Sequence, residues 1–392
     1  MEKKDRFKKG TMKLKPIEEQ VVVIIGATSG IGRASALEFA RRGAKVVISG
    51  RSQSALDSLA QEILGAGGQA VTALADVSEY EQVKQVAERA VDAFGRIDTW
   101  VHLAAVSIYA SFEDTKPEEF KRLIEVNLLG QVHGAMAALP YLKREGRGAL
   151  IHISSVESRT GLPYNSAYAA SKKAITGFLD VLRVELKHDG LPISVTNVLP
   201  SSINTPLFDK ALTRLGVKPA PVPPIYPPEV AVTAIVYAAE HPTREIFAGG
   251  GGKALGLLQR VSPRAADAIV RRISFKAQRT DQPKSESAPS NLYQHVAGFD
   301  RVEGAFTAKT RPSLFTWLRT RPLVAWVALA AAMVGGVLLT RPASKARKSR
   351  NYIRQLQKTA RSILVRKPTL AARIKGVPKQ VLEKVTGLSA FS

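Results

Sequence analysis

Seven short apolar, β-branched runs mark the first two thirds of the chain. They are VVVIIGA (21–27), KVVIS (45–49), AVTALADV (70–77), TWVHLAA (99–105), ALIHISS (149–155), ISVTNVLP (193–200) and REIFAGG (244–250). Between them the apolar spacing changes to a helical period. In EYEQVKQVAERAVDAFG (79–95), for example, Val83, Val86, Ala90 and Phe94 share one face. Strands apolar along most of their length, alternating with helices, predict a parallel sheet covered on both faces. The expected fold is therefore α/β, a doubly wound Rossmann-type sheet, with ligands bound beyond the carboxyl ends of the strands.

Further along, the pattern changes. GVKPAPVPPIYPP (216–228) breaks regular structure at a place suited to a lid. Residues 251–322 read as a helical extension, with QRTDQPKSESAPSN (278–291) as a polar linker. LVAWVALAAAMVGGVLLT (323–340) then runs 18 residues without a charge. At 1.5 Å per residue such a helix is about 27 Å long, just short of a bilayer core. The predicted organisation is a basic N-terminal tail (1–17), an enzyme domain (18–250), the extension (251–322), a hydrophobic membrane segment (323–340) and a basic tail (341–392).

Charge sharpens that division. The net +24 is carried by the ends: seven basic and two acidic residues in 1–17, against 27 and six in 246–392. The middle, 18–245, has 23 basic and 25 acidic residues and reads as an ordinary soluble domain. Basic tails beside an apolar run suit anionic membrane lipid. Nucleic acid is disfavoured, because the tail is nearly free of aromatic residues and carries no nucleic-acid module. The chain begins without a secretory h-region, which places the catalytic domain on the cytoplasmic side of the membrane. There is no cysteine, and the six histidines show no ligand spacing, so no metal site is expected.

The chemistry begins at the first strand's end. GATSGIG (26–32) places Gly26, Gly30 and Gly32 in a strand-to-helix turn, where missing Cβ atoms and free helix N–H groups suit a pyrophosphate. Ser29 and Ile31 belong to the same turn. After the second strand the usual ribose-binding acid is absent and Gly50-Arg51 stands instead, which favours NADP(H) over NAD(H). Arg33 is a second candidate cation. Asp76 and Val77 end the third strand, where an adenine would lie. Tyr168 and Lys172, four apart, share one helical face, and a nearby ammonium plus a nicotinamide cation would lower a phenol pKa that is otherwise about 10. Ser155 ends the fifth strand.

Together these motifs resemble a classical short-chain dehydrogenase/reductase over about residues 18–250. The most specific stretch is SSVESRTGLPYNSAYAASK (154–172), joined by Asn127 in EVNLLG and by PSSINTP (200–206). The resemblance implies that Tyr168 exchanges a proton with the substrate oxygen and Ser155 holds that oxygen. Lys172 would bind the nicotinamide ribose, and Asn127 would support a proton-relaying water. Ala104, Pro200 and Thr205 would join the cofactor contacts. The sequence departs from the pattern at Ile25, at VHLAA (101–105), where Ala105 replaces a glycine, and at Ser201.

The implied function is an NADP(H)-dependent oxidoreductase interconverting an alcohol and a ketone or aldehyde. Its expected partner is a small, lipophilic carbonyl or alcohol substrate at a membrane, and a homo-oligomer is left open. The alternatives are an NAD-linked or epimerase-like enzyme on the same site, or a membrane-tethered nucleotide-sensing binding protein. Because every catalytic candidate lies before residue 207, a chain ending near 300 is expected to keep cofactor binding.

Overall fold

In the computed structural model, residues 12–322 and 324 are described. The seven apolar runs form one parallel sheet: β1 Val21–Ile25, β2 Lys45–Gly50, β3 Gln69–Leu74, β4 Thr99–His102, β5 Gly148–Ile153, β6 Ile193–Pro200 and β7 Glu245–Ala248. Their order across the sheet is β7-β6-β5-β4-β1-β2-β3. The order in which strands are added reverses between β1 and β4, which run parallel, and this opens a crevice at their carboxyl ends. β1 and β6 are buried along their whole lengths, as a sheet covered on both faces requires.

Helices cover each face. α1 (Gly30–Arg41), α2 (Gln53–Gly65) and a later helix, Pro228–Glu240, pack against one core with Phe39, Leu56, Leu59 and Ile235 fully buried. α3 (Tyr80–Phe94) covers the other, with Val83, Val86 and Ala90 facing in as their spacing predicts. Beside it, α4 (Pro117–Ile124) and α5 (Gly130–Arg144) join through one π-helical turn, Glu125–Leu129, which contains Asn127. α6 (Ser166–His188) completes that layer. A π turn widens the helix locally, a device common at functional sites.

Beyond residue 250 the expected helices are present and the expected linker is not. A compact unit extends to Thr320, well past the predicted boundary. After α7 (Leu207–Lys210) and α8 (Pro228–Glu240), α9 (Gly250–Val261) and α10 (Pro263–Ala277) are helical, as expected. The expected linker, however, is packed structure. Gln278 is buried and its side chain bonds Asn165 and the Pro163 carbonyl. Arg279–Pro283 pairs antiparallel with Val217–Pro219. Lys284 donates to the carbonyls of Asp209 and Ala211. Leu292 is fully buried, and Phe306 packs on Phe208. A short helix, α11 (Leu314–Arg319), sends Thr316 to the Gly249 N–H. The segment reads as a linker because its polar groups are satisfied by partners about 60 to 115 residues away, a relation that local composition does not encode.

Among the described residues no helix is long and apolar enough to cross a membrane. The predicted membrane segment, apart from Val324, the tail 341–392 and residues 1–11 lie outside the described residues.

The packed extension moves the useful truncation point. A chain ending at Thr320 is expected to unfold in one cooperative transition. Removing 301–320 as well strips out Phe306 and Thr316, at a cost on the order of 3–5 kcal/mol. Urea denaturation checks this: equal midpoints for the two chains would show that the segment contributes nothing.

Candidate active site

The crevice is built around the turn between β1 and α1. Gly26 and Gly30 both have positive φ, 82° and 58°. Gly26 lies so close to the strand exit of β4 that a Cβ would sit 2.6 Å from the Ala104 nitrogen. A Cβ on Gly32 would sit 2.0 Å from the Gly26 carbonyl oxygen. The Gly26 and Ala27 N–H groups both donate to the Ser49 carbonyl at 2.9 Å, which fixes the turn to β2. The result is a cleft of about 240 Å³ along the carboxyl edge of the sheet.

The cleft brings most of the predicted residues together. Gly26, Ser29, Gly30, Ile31 and Gly32 line one end, with Arg51 and Val77. Ala104 and Ala105 line the middle, and Pro200 and Thr205 the opposite wall. Ser155, Tyr168 and Lys172 close the far end. Asp76 is not on the wall. Its carboxylate accepts from Ser78 and Arg122, and these bonds outweigh burial and hold its pKa below the usual value. Arg33 is also elsewhere, paired with Glu62 at 2.5 Å.

Asn127 lies behind the cleft, fully buried. It accepts from the Val106 N–H at 2.8 Å and donates to the Val106 carbonyl at 2.9 Å. This two-point clamp holds the segment after β4 against the site, and Ser171 is the third contact at 3.4 Å.

At the far end, Ser155 accepts from the Glu157 N–H at 3.1 Å, and its hydroxyl also hydrogen-bonds the Tyr168 phenol. The Lys172 ammonium donates to the Ile153 carbonyl at 2.9 Å and stands 5.4 Å from the Tyr168 ring centre. Burial lowers Lys172 to about 7, against the opposing pull of Glu157. Burial also raises the Tyr168 phenol, and the Glu157 charge adds to the rise, while a Ser155 hydrogen bond works against it. Among the chain's own groups the phenol is therefore pushed up; the nicotinamide cation that the sequence expectation also counted is not one of them. An ammonium withdrawn from water loses its own charge before it can tune a neighbour.

Sequence reasoning missed Glu157. Its Oε2 is buried without a hydrogen-bond partner, and burial raises its pKa to about 8. It faces the cleft two residues after Ser155, a spacing that carries no distinctive signal. It missed Lys210 as well, whose ammonium reaches the Ser29 hydroxyl at 2.8 Å. Also missed were Asn291, His295 and Val296, which line the cleft from the packed extension.

Turn and cleft fit a dinucleotide: close backbone approach without Cβ atoms, a helix start directed at the cleft, and cations beside it. Comparison with known proteins agrees. The family described as short chain dehydrogenase matches residues 20–215. The oxidoreductase YxnA of Bacillus subtilis is 37% identical over 342 residues, covering 86% of this chain and 94% of that protein. Dehydrogenase/reductase SDR family member 7B of Bos taurus is 37% identical over 52% of this chain and 63% of its own length. A 3-ketoacyl-ACP reductase structure from Sinorhizobium meliloti is 33% identical, with a TM-score of 0.53, over 60% of this chain and 99% of that one. An alcohol dehydrogenase from Thermococcus sibiricus, complexed with 5-hydroxy-NADP, is 26% identical with a TM-score of 0.51, over 58% of this chain and 95% of that one.

The buried lysine gives a stability test. Its folded pKa, about 7, lies below its ordinary 10.5, so the unfolded chain binds the proton more tightly. Its cost is greatest below pH 7 and fades as pH rises toward 10.5. Relative to Lys172→Met, wild type should gain on the order of 1–2 kcal/mol between pH 7 and 9. Parallel pH profiles in urea denaturation would show that Lys172 keeps its full charge when folded.

Proposed function

Because the chain belongs to the short-chain dehydrogenase/reductase family, and so is an oxidoreductase that uses a nicotinamide cofactor on a small molecule, we propose that it is an NADP(H)-dependent enzyme interconverting a ketone or aldehyde with its alcohol. The observation that carries this reading is the convergence of Ser155, Tyr168 and Lys172 at one end of a cleft whose other end is the glycine turn.

A bound nicotinamide supplies or accepts the hydride. The chain's own residues handle the oxygen and the proton. In the reductive direction Ser155, its own lone pair engaged by the Glu157 N–H, turns its hydroxyl proton to the substrate oxygen. Tyr168 gives its phenolic proton to that same oxygen as negative charge develops there. A phenol with a raised pKa stays protonated at neutral pH and so is ready as the acid. Lys172, anchored on the Ile153 carbonyl, would hold the nicotinamide ribose of a bound cofactor. Asn127 fixes the Val106 segment and, through Ser171, supports the route by which Tyr168 is reprotonated.

Preference for NADP(H) rests on Arg51 and the absence of an acid at the end of β2. The Arg51 guanidinium donates to the carbonyls of Asn291 at 2.6 Å and Tyr293 at 3.2 Å. These are neutral acceptors, which a phosphate outcompetes. The lipophilic substrate and attachment to anionic membrane rest on the apolar run 323–340 and the basic tail.

Two measurements test the reading. NADPH consumption against a panel of ketones and aldehydes should fall by about 10²–10⁴-fold in Tyr168→Phe, with NADPH affinity nearly unchanged. Retention of a tenth of the rate removes Tyr168 from its role. Arg51→Asp should shift selectivity from NADP toward NAD by roughly 10–150-fold. Equal losses with both cofactors would make Arg51 structural.

A further inference from the structure

Lys210 ends α7 and is almost completely buried, yet it lies on the cleft wall. Its ammonium donates to the Ser29 hydroxyl at 2.8 Å. Ser29 immediately precedes α1 but caps nothing on that helix with its side chain. The next residue, Gly30, sends its N–H to the Arg301 carbonyl at 2.9 Å. An ammonium and a hydroxyl thus meet beside the start of α1, and the adjacent Gly30 N–H already holds one oxygen acceptor.

The charges around Lys210 are otherwise committed. Asp209 is paired with Lys218 and, at 3.5 Å, with Arg301. Asp300 stands 3.4 Å from His295 through Oδ2, while its Oδ1 is buried with no hydrogen-bond partner, so it balances Lys210 through space without bonding it. Burial lowers Lys210 to about 8, with Asp300 and Asp209 opposing and Arg51 and Arg301 adding to the fall. A buried cation whose direct partner is a neutral hydroxyl is costly to the fold and suited to an incoming anion.

We infer that Lys210 binds the pyrophosphate of the dinucleotide, forming with Ser29 and the Gly30 N–H a cationic subsite separate from the 2′-phosphate contact at Arg51. The inference rests on the reading that the cleft holds a nicotinamide dinucleotide. Pyrophosphate is common to NAD and NADP, whereas the 2′-phosphate belongs to NADP alone. The two cations therefore answer differently to the two cofactors.

The test uses the full chain, with Lys210→Gln and Lys210→Met titrated calorimetrically against NADP, NAD and 2′-AMP. Both variants should bind NADP and NAD more weakly by the same factor, about 10–100-fold, the loss of one charge-assisted contact. Their affinity for 2′-AMP should be unchanged. Arg51→Gln should show the converse, losing NADP and 2′-AMP affinity and keeping NAD. Ligand-free melting temperatures establish that each variant is folded. Wild-type affinity for both dinucleotides in Lys210→Gln would overturn the inference and make the ammonium a tie between α7 and the turn. Loss confined to NADP and 2′-AMP would also overturn it, by assigning Lys210 to the 2′-phosphate. A wild-type chain that binds neither dinucleotide would sink the cofactor reading together with the inference. Wild-type binding without carbonyl turnover would sink only the proposed reaction.

Discussion

The cleft depends on backbone meeting backbone where β1 ends. A single methyl on Gly32 would lie 2.0 Å from the Gly26 oxygen, and one on Gly26 would lie 2.6 Å from the Ala104 nitrogen. No side-chain adjustment relieves contacts of that kind, because both partners are main chain. The start of α1, the end of β1 and the exit from β4 are therefore locked at the distance that glycine permits. Everything else is set from that point. Asn127 clamps the segment after β4 from behind, and Ser155 and α6 define the far wall.

At the far wall, burial competes with charge and wins. Tyr168, Lys172 and Glu157 are all pushed toward their neutral forms. Near pH 7 the carboxyl is largely protonated, the phenol is intact and the ammonium is about half charged. Such a wall carries little net charge despite three titratable groups. It is compatible with an uncharged carbonyl or alcohol, and it would penalise a carboxylate or ammonium brought in without a partner. It also keeps each proton within the site, where the geometry can direct it.

The sheet was legible because buried parallel strands write themselves as continuous apolar runs. All seven strands of the large sheet fall within or beside the predicted stretches, whereas the short pairs such as Val217–Pro219 with Arg279–Pro283 do not. That Ser155, Tyr168 and Lys172 would share one cleft was legible because the stretch 154–172 carries them at the spacing of a known family motif, close together in the chain. Glu157 was not, since nothing in its neighbours distinguishes a carboxylate facing a cleft from one facing water. The extension was least legible. Its fold depends on Gln278 reaching Asn165, Lys284 reaching the α7 carbonyls and Phe306 reaching Phe208. Polar composition with Pro and Ser describes how such a segment behaves alone, and these long-range partners are what change its behaviour.

The arginines show how far composition goes and where structure takes over. Arg33 and Arg51 follow the first two strands and were the phosphate candidates, and Arg122 reaches the same neighbourhood from α4 through its pair with Asp76. Arg33 is paired with Glu62, and Arg122 with Asp76 at 2.7 Å. Arg51 differs: its hydrogen bonds go to two main-chain carbonyls, and its nearest carboxylate oxygen, on Asp76, is 3.9 Å away. Hydrogen bonds to charged groups are worth about 1.5–3 kcal/mol and neutral ones about 0.5–1.5. A phosphate arriving at Arg51 or Lys210 displaces neutral oxygens and gains the difference. A phosphate arriving at Arg33 or Arg122 would have to break an ion pair and strand a carboxylate. The charge state of the present partner, more than the presence of a cation, separates side chains open to an anionic ligand from those committed to the fold.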